Sequence, residues 1–144
     1  MIVLLVLFGS LVLFRALGAA GVAAFQSWIL SARVALAVMF LFTASSHFTS
    51  MKKDLIAMVP PGVPRPDLLV LLTGIAEFAG AIGLLIPTIR YWAALGLIVL
   101  MVAVLPANIS AAKRSVLLRG RPPTPLWLRI PMQVLFVGWA WLIK

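Results

Sequence analysis

Five apolar stretches, separated by short basic or proline-rich breaks, restrict this chain more than any other feature. A helix needs about 20 mostly apolar residues to cross the hydrocarbon core of a bilayer. A chain of 144 residues therefore has room for four or five crossings and short connections, and none for a separate soluble domain. Charged residues make up 10% of the chain and the mean hydropathy is +1.18, whereas soluble domains carry about 25% charged residues. A soluble fold is excluded. The expected fold class is an all-α membrane protein, a four-helix transmembrane bundle plus an additional N-terminal transmembrane helix, as a single domain over 1–144.

The expected spans are about 1–25, 26–48, 68–86, 91–112 and 126–143. The first is apolar from Met1 to Phe14, is broken by Arg15, and resumes as a small-residue run to Phe25. A signal peptide has a basic start, and no basic residue precedes Arg15, which favours a retained helix. The alanines between Ala19 and Ala24 leave cleavage as the alternative. After the second span, Met51, Leu55, Met58 and Val59 repeat at helical spacing opposite Lys52, Lys53 and Asp54, the pattern of a short helix lying in the membrane interface. Pro60, Pro61, Pro64 and Pro66 then forbid regular helix, and Asp67 suits the next helix start. A tight turn containing Arg90 makes the third and fourth spans antiparallel neighbours. Trp127, Trp139 and Trp141 near the ends of the last span read as interfacial anchors. No internal repeat and no low-complexity tract is visible.

The formal charge of +9 raises nucleic acid as a partner, but the cations lie mainly in the breaks between apolar runs and not on one continuous face. That is the positive-inside distribution of a bilayer protein. Five crossings put Lys52, Lys53, Arg65, Lys113, Arg114, Arg119, Arg121 and Arg129 on one side, and only Arg15, Arg90 and Lys144 on the other. The first side is expected to be cytoplasmic, with the N-terminus inside and the C-terminus outside. The expected partners are the lipid bilayer and a protein partner or second copy, with no nucleic acid.

Cysteine is absent and a single histidine is present. Thiolate chemistry, cysteine-ligated clusters and a haem held by two histidines of this chain are thereby removed. Phosphate loops, metal-ligand clusters and a serine elbow are also missing. With no cofactor expected within the chain, a redox role must use a diffusible cofactor such as a membrane quinone, or one held by a partner.

Glu77 is the most informative residue, because an ionisable group inside an apolar helix is costly and functional by default. Thr73, Ala76, Gly80 and Gly83 surround it at spacings of three and four, a small-residue stripe that lets another helix approach closely and turns Glu77 into the bundle. A carboxyl buried there without a cation is neutral, able to donate a hydrogen bond or move a proton; equally, it can serve only to bond a neighbouring helix. His47 and Asn108 lie near the basic-loop ends of the second and fourth spans, and Glu77 lies about 15 Å from that surface. The three can line one polar pocket together with Thr73. Each also has a plain alternative: His47 as an interfacial group, Asn108 as a partner for backbone freed by Pro106. Arg33, deeper toward the opposite side, either pairs with Glu77 and keeps it charged or snorkels to the interface.

The runs Phe40-Leu-Phe-Thr-Ala-Ser-Ser-His-Phe48, Met58-Val-Pro-Pro61, Leu72-Thr-Gly-Ile-Ala-Glu77 with Gly80 and Gly83, and Leu105-Pro-Ala-Asn-Ile109 together resemble the DoxX family of small bacterial membrane proteins, over roughly Ser27 to Ile143. The resemblance implies a four-helix membrane core in the bacterial inner membrane, with His47, Glu77 and Asn108 at a histidine, a glutamate and an asparagine position of the family. Members named for thiosulfate oxidation are subunits of a quinone-reducing enzyme, and others are associated with oxidative-stress complexes. Three functions follow as expectations: a redox-associated accessory subunit with a quinone- or lipid-sized pocket, a non-enzymatic membrane assembly module, or a small-solute carrier.

Overall fold

The computed structural model describes residues 2–144. Its long helices are α1 (Ile2–Ala19), α2 (Trp28–Ser45), α4 (Pro66–Gly83), α5 (Arg90–Ala103) and α7 (Leu126–Ile143), with shorter helices α3 (Lys52–Met58) and α6 (Leu105–Lys113). A 3-10 turn, Ser46–Phe48, prolongs α2, and α5 and α6 follow one another with a single break at Val104. Five segments are thus long and apolar enough to cross a membrane: Ile2–Ala19, Trp28–Phe48, Pro66–Gly83, Arg90–Lys113 and Leu126–Ile143. That is the helix set of a multi-pass membrane protein.

Local chemistry sets the boundaries. The first helix stops at Ala19, short of the expected Phe25, because Gly21 adopts a left-handed φ of 102° and Ala23–Gln26 forms a 3-10 turn. Arg15 closes this corner. Its Nη1 donates to the Phe25 and Gln26 carbonyls at 2.8 Å, and its guanidinium lies 4.1 Å from the centre of the Trp28 ring. Ser27 caps α2 by accepting from the Leu30 amide at 3.3 Å, the usual role of an N-cap hydroxyl. Pro66 opens α4 with Asp67 in its first turn, where a missing amide is harmless and a negative charge is favourable.

Helices α2, α4, α5 and α7 form the bundle, and α1 lies against the outside of α2. Small residues let α4 and α5 meet closely: a Cβ added at Gly80 would stand 2.6 Å from Leu97, and one added at Gly83 would stand 2.7 Å from Ala93. Close backbone approach of this kind replaces the hydrophobic drive that water would otherwise supply. Leu7, Leu36, Met39, Leu84 and Leu97 are fully enclosed in the core. Trp139, expected as an interfacial anchor, instead turns inward. Its indole donates to the Ala32 carbonyl at 3.1 Å and meets Phe8 edge-on. Trp127 and Trp141 remain exposed, as anchors are.

The helix expected after the second span is α3, and it roofs one end of the bundle. Arg114 holds it there by donating from Nη2 to the carbonyls of Ala57, Met58 and Val59 at 2.8–3.0 Å. The Asp54 carboxylate accepts from the Arg119 amide at 2.9 Å, joining the roof to the basic loop.

Candidate functional site

Beneath this roof, the last turn of α2 meets the first half of α4. Gly74 makes the meeting possible, since a Cβ there would stand 2.5 Å from His47 Cβ and 2.7 Å from its Cγ. The imidazole is thereby brought close against α4. His47 Nδ1 lies 2.7 Å from the Val70 carbonyl, and Nε2 lies 3.3 Å from Glu77 Oε2. A carbonyl can only accept, so Nδ1 carries a proton. Nε2 and Oε2 then face each other with one proton between them, either as imidazolium and carboxylate or as imidazole and carboxylic acid.

The other carboxylate oxygen, Oε1, is within hydrogen-bond reach of the Thr43 hydroxyl. Both members of the pair are largely enclosed, with side-chain exposures of 14%. Thr73 stands beside them on the wall, its hydroxyl donating to the Val70 carbonyl at 3.1 Å and not to Glu77. The pair is therefore oriented from three directions: Val70 on the histidine, Thr43 on the glutamate, and the α4 backbone at Gly74.

Two adjoining lobes open onto the pair. One, of about 230 Å³, lies toward α4 and α5, where Leu69, Val70, Thr73, Leu100 and Val104 complete a mostly apolar wall. The other, of about 300 Å³, lies toward α7 and adds Arg129, Gln133, Met132 and Phe136. His47, Glu77 and Asn108 border both, and Leu55 and Met58 of the roof cover both. Asn108 Oδ1 accepts from Arg129 Nη1 at 2.5 Å, and Gln133 Nε2 donates to the Met101 carbonyl at 2.6 Å. The asparagine side chain thus binds α7 rather than the backbone freed by Pro106.

Arg33 is the one expected pocket residue that lies elsewhere. Its guanidinium donates from Nε and Nη2 to the Ile143 carbonyl at 3.1 and 2.9 Å, and it is only 8% exposed. Fourteen residues of α2 and the 3-10 turn that prolongs it, about 21 Å at helical rise, separate it from His47. It neither pairs with Glu77 nor reaches outward; it caps the C-terminal end of α7, where a cation is favoured. Among the described residues, no three His, Asp or Glu side chains converge as a metal site.

Residues 36–144 match the family described as a domain of unknown function, DUF8561, which is well over half of the chain. The chain belongs to DUF8561. The DUF8561 segment contains every member of the site, from Thr43 to Gln133, and leaves α1, Arg15 and Arg33 outside it. No curated protein and no solved structure matches the chain.

Thr43, Gly74, Arg129 and Gln133 are members that sequence reasoning does not single out. Gly74 lies three residues before Glu77, one turn away on the same helix and adjacent to the small-residue stripe. Arg129 belongs with the basic-loop cations in the charge distribution, although it stands inside the last span, three residues after its first.

Proposed function

We propose that this chain is a DoxX-like, redox-associated accessory subunit of the bacterial inner membrane, whose pocket takes the head of a membrane quinone. The observation that carries this reading is the His47–Glu77 pair, holding one proton on the wall of an otherwise apolar cavity. A quinone carbonyl needs a hydrogen-bond donor beside it, and its ring and tail need apolar surroundings. The pair supplies the first by turning its shared proton from the partner to the ligand, and the α4 and α5 lobe supplies the second. As the head is reduced it takes up protons, and the pair is placed to give one and to regain it from the basic-loop end; the electrons come from a partner's redox centre. The loop charges favour a cytoplasmic position for that end.

The test is mass spectrometry of small molecules extracted from protein purified in mild detergent, comparing wild type with Glu77→Gln. A quinone present in wild type and lost in the variant is the expected result. Wild-type protein that neither copurifies with quinone nor binds it when added would sink the reading. The second reading, a non-enzymatic assembly module, draws on Gly96 and Gly138, which face outward with nothing within 4 Å of an added Cβ. Such positions admit a partner helix. Crosslinking in native membranes that recovers no partner would count against it. The third reading, a small-solute carrier, shares the cavity and requires transport in liposomes.

A further inference from the structure

The α7 lobe contains a cation that the proton-holding pair does not use. Arg129 is partly buried, and the one hydrogen bond of its side chain among the described residues goes from Nη1 to the neutral Asn108 side chain. No carboxylate lies within 4 Å of it among the described residues. The three acids of the chain are engaged or distant: Glu77 faces His47, Asp54 accepts from Arg119, and Asp67 begins α4. A guanidinium carries five donors in a planar fork, so most of this one's donors remain for an occupant of the lobe. An arginine this close to a helix end can snorkel outward to headgroups. Here it is turned inward, where an unpaired charge beside apolar walls is costly unless an anion joins it.

We propose that Arg129, held by Asn108, is the anchor of an anion subsite that takes the phosphate of an amphiphile. The guanidinium matches a phosphate with two parallel hydrogen bonds. Thr124 and Gln133 on the same wall supply further polar contacts, and Met132 and Phe136 flank the path of an acyl chain. The N-terminal end of α7, at Leu126, adds a favourable field for negative charge. The phosphate can arrive on a membrane lipid or as a free ion, and the same fork receives both. The proposal rests on the cavity being a ligand site but not on the ligand being a quinone.

The test uses the full chain in nanodiscs of equal parts phosphatidylcholine and phosphatidylglycerol, released into a mass spectrometer under native conditions. Wild type should retain phosphatidylglycerol in preference to phosphatidylcholine. Arg129→Gln should lower that retention about tenfold or more, the loss expected when hydrogen bonds to a charged group are removed. Arg65→Gln removes a charge from an exposed loop at the same end and should leave retention unchanged. In a parallel arm, inorganic phosphate is titrated into protein in neutral detergent. A rise in unfolding midpoint that Arg129→Gln abolishes, without lipid preference, supports the subsite and makes the free ion its occupant. Equal retention of both lipids by wild type together with no response to phosphate overturns the proposal, with no variant needed. So does an Arg129→Gln protein that behaves as wild type in both arms. If that happens while Glu77→Gln still loses its extracted quinone, the anion subsite fails and the quinone reading stands; the converse pattern leaves the subsite and removes the quinone.

Discussion

At the scale of single residues, the site depends on a hydrogen atom as much as on its ionisable groups. Gly74 gives the imidazole its place, and Gly74→Ala should destabilise the protein by about 1–3 kcal/mol, the usual cost of overpacking. Because the clash begins at His47 Cβ, 2.5 Å away, and alanine would keep that atom, the double variant Gly74→Ala with His47→Gly should cost less than the sum of the two single changes, measured as thermal midpoints in one detergent. Strict additivity would show that Gly74 acts elsewhere. Arg33 supplies the opposite case. Arg33→Gln should cost about 1–3 kcal/mol by releasing the Ile143 carbonyl, yet leave ligand retention at the Glu77 pocket intact. Loss of the ligand in that variant would join two regions that stand fourteen residues apart along the second crossing, about 21 Å at helical rise.

These residues also show what the sequence discloses. Glu77, His47 and Asn108 stand out because polar groups in apolar helices are expensive and therefore rare. Gly74 does not, since one more small residue near a small-residue stripe carries no signal until a partner helix is in place. Arg33 is legible as a cation inside the second span that pairs with Glu77 or snorkels outward, but its partner is a backbone carbonyl at the far end of the chain, and carbonyls are identical in every residue. Arg129 was hidden by its own usefulness to the charge count of the loops.

At the scale of elements, the helices follow from the lengths of the apolar runs, and their ends follow from proline, glycine and serine at known offsets. What the runs could not show is the 3-10 turn after Gly21, or the inward turn of Trp139, because both depend on the α1 and α2 contact. The roof is an element whose attachment can be tested by itself. Arg114→Ala removes donors from three consecutive carbonyls, so α3 should open more often. Hydrogen exchange at Leu55 to Val59 should rise by an order of magnitude or more, while exchange within α4 and α5 stays unchanged. Equal exchange in both proteins would mean that the Asp54 contact or packing alone holds the roof.

At the scale of the whole molecule, the absence of cysteine becomes an experimental advantage. A single thiol introduced by Ser50→Cys should be labelled by a membrane-impermeant reagent only from the cytoplasmic side, and one introduced by Thr88→Cys only from the other. Both positions are exposed, and the charge distribution sets the expected sidedness. Labelling of both thiols from the same side would overturn the five-crossing arrangement and with it the position of the pocket mouth.

The break between α5 and α6 falls where the cavity wall is made. Pro106 has no amide to give, and Val104, two residues before it, and Ala107, directly after it, both line the lobe beside the histidine and glutamate. A wall with a joint in it bends at lower cost than a continuous helix. Filling the lobe should therefore change the angle of the fourth crossing, so that a spin-label pair on its two halves would work as a gauge of occupancy, reporting a bound molecule that has no colour, charge or chemistry of its own to detect.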